Sequence, residues 1–157
     1  MVPLIVLIAV FVALAVAGRV GVSPLRHWRT CLRFALAAMF LVTAWAHVGP
    51  LRGDLIRMVP PGLPAPGFLV TFTGLAELAG AIGLMIPSTA RAAALWLAIL
   101  LVAVFPANVH AALAGLELGG RPATPLVLRA LLQVLFIAAL LAVALPRRAP
   151  WRLRRAR

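Results

Sequence analysis

The sequence predicts an all-α integral membrane protein, and three observations predict it. Of 157 residues, 64% are hydrophobic and 11% charged, against about 45–50% and about 25% in an ordinary soluble domain. Mean hydropathy is +1.10. The apolar residues gather into five runs separated by loops and arginines. A soluble globule of this size cannot hide so much apolar surface, and intrinsic disorder needs low hydrophobicity. The length allows one bundle and no separate soluble domain.

The runs cover residues 2–17, 32–48, 68–86, 90–112 and 126–145. A bilayer core asks for about 20 helical residues, with a range of about 17–25. The last four runs fit. The first fits once Arg19 snorkels and the helix extends to Val22, so residues 1–22 read as an N-terminal transmembrane helix. Small residues at Ala13, Ala15 and Ala17 raise the reading of a cleaved signal peptide. No basic residue precedes Arg19, however, so a retained helix is expected.

All 15 basic residues are arginine, and the acids are Asp54, Glu77 and Glu117. The arginines lie between and after the apolar runs, as topology signals do, so no nucleic-acid partner is expected. With the N-terminus outside, eleven arginines fall on the inner side: Arg19, Arg26, Arg29, Arg33, Arg91 and six in 146–157. Four (Arg52, Arg57, Arg121 and Arg129) fall in outer loops. The asymmetry predicts an N-out, C-in protein of a plasma membrane. Residues 146–157, with Trp151 among the arginines, read as a basic cytoplasmic tail against anionic headgroups. The single Cys31 excludes an internal disulfide or dithiol cycle. No Cys/His spacing fits zinc.

Two loops have character. Pro87-Ser88-Thr89 is short, so its flanking helices are tight antiparallel neighbours, with Ser88 or Thr89 as N-cap of the second. The outer loop 49–67 carries four prolines in 59–67, which forbid helix there. That uncharged stretch is expected in the interface or folded over the bundle mouth.

Ionisable and amide groups inside apolar runs are costly and mark candidate sites. Glu77 lies halfway along 68–86, and its helical neighbours Thr73, Gly74, Gly80 and Ala81 form a small, packing face. Glu77 therefore looks inward, either as a proton site or ligand anchor, or as a neutral carboxyl bonded between helices. His47 ends the second run, with Thr43 and Ala44 on its face. Asn108 follows Pro106, which removes a backbone donor. His110 lies about 200° round the helix from Asn108, so Asn108 is placed inward and His110 towards the rim. Gln133 reads as interhelical glue or a ligand contact. By depth, His47, Asn108, His110 and Gln133 would line an outward-facing polar pocket above Glu77, under the proline loop.

The ordered series Ala44-Trp45-Ala46-His47, Met58-Val59-Pro60-Pro61-Gly62-Leu63-Pro64, Thr73-Gly74-Leu75-Ala76-Glu77, Gly83-Leu84-Met85-Ile86-Pro87-Ser88-Thr89-Ala90-Arg91 and Phe105-Pro106-Ala107-Asn108-Val109-His110 resembles the DoxX-like family of small bacterial membrane proteins. The resemblance spans residues 32–145. It implies a four-transmembrane-helix bundle there, with the first helix an addition to the family pattern. The family often has Gly-x-x-His-Phe where this chain reads Ala44-Trp45-Ala46-His47-Val48. His47, Glu77, Arg91 and Asn108 match its polar positions. Arg91, at a helix boundary, also reads as a capping or snorkelling residue. Some relatives are subunits of quinone-linked sulfur oxidoreductases, others associate with oxidative-stress enzymes, and many have no assigned activity.

Three functions compete. One is a redox-associated membrane subunit, without catalytic activity of its own, that binds a quinone-like or other small amphiphile. Glu77 would manage a proton, His47 or Asn108 would hold a carbonyl, and electrons would come from a partner protein. The second is a small proton-coupled transporter with Glu77 as coupling carboxylate, in which a homo-oligomer would supply the missing machinery. The third is a structural assembly subunit whose small residues, such as Gly80-Ala81-Ile82-Gly83, serve packing alone. A fourth, minor reading is a b-type haem held by His47 and His110.

Overall fold

A computed structural model describes residues 1–122 and 124–145, and the basic tail 146–157 lies outside the described residues. The chain forms helices α1 (Val2–Val20), α2 (Trp28–Ala46), α3 (Arg52–Met58), α4 (Pro66–Met85), α5 (Ala90–Leu113) and α6 (Leu126–Ala144). A 3₁₀ turn, Ser23–Arg26, joins α1 to α2. Two short strands, β1 (Glu117–Leu118) and β2 (Arg121–Pro122), pair between α5 and α6. All helices but α3 are long and apolar enough to cross a membrane. Their outward faces carry bare apolar side chains such as Ile5, Ile8, Phe68, Phe72, Ile99, Leu131 and Val134. Water would penalise such a surface and hydrocarbon would not.

The long helices pack in a ring: α2 on α4, α4 on α5, α5 on α6, and α6 back on α2. Helix α1 stands outside this ring against α2, where Leu7 is buried and Val6, Val10 and Phe11 meet the core. Neighbours run antiparallel, as Gly80 meeting Leu97 and Gly83 meeting Ala93 show for α4 and α5.

Helix α4 supplies the seam. Val70, Gly74, Glu77, Ala81 and Leu84 are buried at alternating spacings of four and three, which keeps one stripe on one side of a helix. Close approach needs missing side chains. A Cβ added at Gly80 would lie 2.4 Å from Leu97 Cδ2, so the Leu97 side chain occupies the space that glycine leaves open. Phe40, Leu36, Met39, Leu84, Leu97 and Leu140 fill the centre.

Several expectations change. Loop 49–67 is not wholly irregular, because α3 occupies its first half. Pro50 precedes α3 and the next proline is Pro60, so no proline falls within Arg52–Met58 to break that helix. Residues 61–66 of the proline stretch are exposed. Arg129 is not a loop residue but sits in the first turn of α6. Thr89 is the N-cap residue of α5 but makes no side-chain cap bond. Its hydroxyl instead donates to Gly83 O and Ile86 O, carbonyls at the end of α4. The Gly119-Gly120 pair turns the β1–β2 hairpin with both φ angles positive (59° and 70°), the conformation that a two-residue hairpin of this hand requires.

Gly80→Ala should destabilise the bundle by about 1–3 kcal/mol, because the new methyl overpacks Leu97. Gly53→Ala in α3, where an added Cβ meets open space, should be neutral or stabilising by up to about 1 kcal/mol. Thermal unfolding in one detergent, followed by circular dichroism, checks both.

Candidate functional site

Glu77 is the one buried charged or polar residue among the described residues, at 8% exposure. Its position follows from the α4 stripe, which turns it towards α2 between Gly74 and Ala81. His47, the C-cap residue of α2, comes to meet it, with Nδ1 at 3.9 Å from Glu77 Oε2. The imidazole fits only because residue 74 is glycine, since a Cβ there would lie 2.6 Å from His47 Cβ.

The pair is close without being hydrogen-bonded. His47 Nδ1 lies 2.9 Å from Thr43 O, and a carbonyl only accepts, so Nδ1 carries a proton and donates it there. Burial pulls the His47 pKa below its ordinary value. The Thr43 carbonyl opposes that shift, and the positive charge of Arg52 adds to it. The δ proton of the ring is thus committed to the Thr43 carbonyl. The Thr43 hydroxyl donates to Phe40 O while standing beside the Glu77 carboxyl. Glu77 Oε2 is left buried with no hydrogen-bond partner. Such an atom is expensive in an apolar bundle, and it is the natural contact for a ligand or a proton.

The short helix α3 packs on α4 and α5 at this end of the bundle. Arg52 donates from Nη1 to His47 O at 2.9 Å, and from Nη2 to Gly67 O at 3.2 Å and Thr71 Oγ1 at 2.9 Å. The guanidinium fork thereby ties the end of α2 to the start of α4. Asp54 accepts from Arg57 and, at 2.7 Å, from the Gly119 amide of the hairpin. His110 Nδ1 lies 3.1 Å from Met58 O, and donating there fastens α5 to the last residue of α3.

The other candidates have partners of their own. Asn108 Oδ1 accepts from Arg129 Nη1 at 2.8 Å, and Arg129 Nε donates to Thr124 O at 2.9 Å. Gln133 Nε2 donates to Leu101 O, across the α5–α6 contact. Pro106 offers no amide to Val102 O, one residue further on. Among the described residues no hydrogen bond joins Asn108, His110 or Gln133 to the His47–Glu77 pair. One polar pocket is expected from depth; in the structure Asn108 bonds Arg129, His110 bonds Met58 O and Gln133 bonds Leu101 O, each apart from the His47–Glu77 pair. Arg91 is exposed in the first turn of α5. Among the described residues, no cluster of three or more His, Cys, Asp or Glu side chains is arranged to hold a metal ion.

The roles of Arg52, Asp54 and Arg129 are not legible in the sequence, where Arg52 and Arg129 stand as loop arginines. For α3 a signal existed: Asp54 in a first turn, and Pro60 two residues past the last.

Residues 36–144 match the model of a family described as a domain of unknown function, DUF8561. The chain belongs to the DUF8561 family. The matched segment takes in most of α2 and all of α3 to α6, and so leaves α1 outside. No curated protein and no solved structure matches the chain.

Arg52→Gln removes three charge-assisted donors from two helix ends. Each is worth less than a buried bond because the group is partly exposed. The expected result is about tenfold faster amide exchange in Arg52–Met58, with the α5–α6 core unchanged. Hydrogen-exchange mass spectrometry of the detergent-solubilised protein measures this directly.

Proposed function

We propose that this DUF8561 protein is a DoxX-like, multi-pass plasma-membrane subunit, N-terminus outside, that binds a quinone-like or other small amphiphile for a partner redox protein. The arginine distribution supports the orientation. The motif series around His47, Glu77 and Asn108 supports the DoxX-like reading.

The observation that carries the binding role is Glu77 Oε2: buried, without a hydrogen-bond partner, and 3.9 Å from the His47 imidazole. A quinone site needs an apolar slot and a few placed polar groups. Glu77 supplies an acceptor when ionised and a donor when protonated, so it suits both the carbonyl and the hydroxyl form of such a ligand. His47 supplies the wall beside it and is held in place by Thr43 and Arg52. No atom of this pair transfers electrons; oxidation and reduction belong to the partner. The protein on its own is therefore read as a binding subunit and not as an enzyme.

The test uses wild-type protein in nanodiscs and a short-chain benzoquinone. Binding should be saturable, and Glu77→Gln should weaken it about tenfold, the size of one net hydrogen bond. The ultraviolet difference spectrum between dithionite-reduced and oxidised samples, against an empty-nanodisc control, reads the bound fraction. Wild-type protein that takes up no more quinone than the empty nanodisc would sink the proposal. Unchanged binding by Glu77→Gln would remove Glu77 from the site.

A further inference from the structure

At the opposite end of the bundle from α3, a cavity of ≈ 530 Å³ opens between α1, the 3₁₀ turn and the start of α2. One wall is apolar, from Phe11, Val12 and Val16. Its other end carries Arg19, Arg26 and Trp28. Gly18 shapes the groove, because a Cβ there would lie 2.3 Å from Leu25 O and would push the turn away from α1. Cys31 also holds that turn, its thiol donating to Leu25 O at 3.1 Å.

Both arginines are exposed and, among the described residues, neither forms an ion pair. No Asp or Glu side chain among the described residues pairs with them. The chain has three acids: Asp54 and Glu117 belong to the α3 end, and Glu77 is mid-way along α4. From Phe11 to Arg19 the groove follows eight residues of α1, about 12 Å at helical rise. Two cations that form no ion pair among the described residues, at one end of an open apolar trough, match an anion that bears a hydrocarbon chain. Trp28, 54% exposed, adds a face suited to the headgroup boundary.

We propose that this groove binds one anionic phospholipid, its phosphate between Arg19 and Arg26 and the upper part of an acyl chain along Phe11, Val12 and Val16. The open side leaves the rest of the lipid in the bilayer. The charge complementarity selects anionic over zwitterionic lipid, and the apolar wall selects a lipid over free phosphate. The lipid would rivet α1, which lies outside the family-matched unit, to the turn and to α2. This site is independent of the Glu77 reading and stands or falls separately.

The test is quenching of Trp28 fluorescence by phospholipid brominated on its acyl chains. Trp45→Phe, Trp96→Phe and Trp151→Phe leave Trp28 as the sole reporter. Brominated phosphatidylglycerol titrated into detergent micelles should quench saturably, at a mole fraction at least about tenfold below that of brominated phosphatidylcholine. The Arg19→Gln, Arg26→Gln double variant should lose that preference. Equal quenching by the two lipids in the Arg19/Arg26 protein overturns the proposal whether or not the double variant folds. Displacement of the quenching lipid by inorganic phosphate also overturns it, since the site would then recognise the anion alone.

Discussion

The last carbonyls of a helix have no partner within that helix, and in hydrocarbon no water replaces one. Much of this architecture answers that constraint with side chains borrowed from elsewhere. Arg52 reaches His47 O at the end of α2. Arg29 reaches Leu145 O at the end of α6. His110 takes Met58 O at the end of α3, and Thr89 takes Gly83 O and Ile86 O at the end of α4. Cations at these positions also meet the negative end of the helix dipole. Because each donor belongs to a different segment from its acceptor, satisfying the carbonyls also stitches the segments together. Arg29 joins the first and last members of the ring, and Arg52 joins α2 to α4. Arginine suits the task better than lysine, since its fork holds two acceptors at a fixed angle.

The placement of His47 and Glu77 is a consequence. Arg52 fixes the His47 carbonyl, Thr43 fixes its δ nitrogen, and Gly74 admits its ring against α4. The imidazole is thus held on three sides without using Glu77. The carboxyl lies beside a ring that has no δ proton to spare, and Oε2 stays without a partner. A purely structural pair would turn that δ proton towards the carboxylate. An arrangement that satisfies every neighbour except one buried acceptor concentrates the unspent interaction at a single atom.

Legibility in the sequence followed the physics of each signal. The five long helices were readable because transmembrane hydropathy depends only on composition over about 20 residues. Inward-facing Glu77 was readable because Gly74, Gly80 and Ala81 share its face, and small residues mark packing. Helix α3 was hidden. Seven residues carry too short a pattern, and the neighbouring prolines dominated the reading of the whole loop. The partition of Asn108 and Gln133 from Glu77 was hidden for another reason. Depth along a helix is a sequence quantity, whereas the partner across a contact is a tertiary one. Arg129 shows the same limit, since nothing local to it names Asn108 as its acceptor.

The arginines illustrate how one residue type serves two demands. Counted by segment, they look like a topology code and nothing more. Placed in the fold, Arg29 and Arg52 act as caps, Arg129 holds Asn108, and Arg19 and Arg26, beside an apolar groove, have no carboxylate partner among the described residues. With only three acids in the chain, every arginine that does not cap a carbonyl or hold an amide needs an anion from outside the protein. At the α3 end that surplus is small, because Asp54 takes Arg57, and Arg52 and Arg129 are spent on carbonyls, Thr71 and Asn108. At the opposite end it is large, and no acid lies there. The chain therefore divides its polar chemistry by depth, with an unpartnered acid held near the middle of the bundle and unpartnered cations held at one rim. A bilayer supplies anions only at its surfaces, so the surplus cations fall where their counter-charge is found.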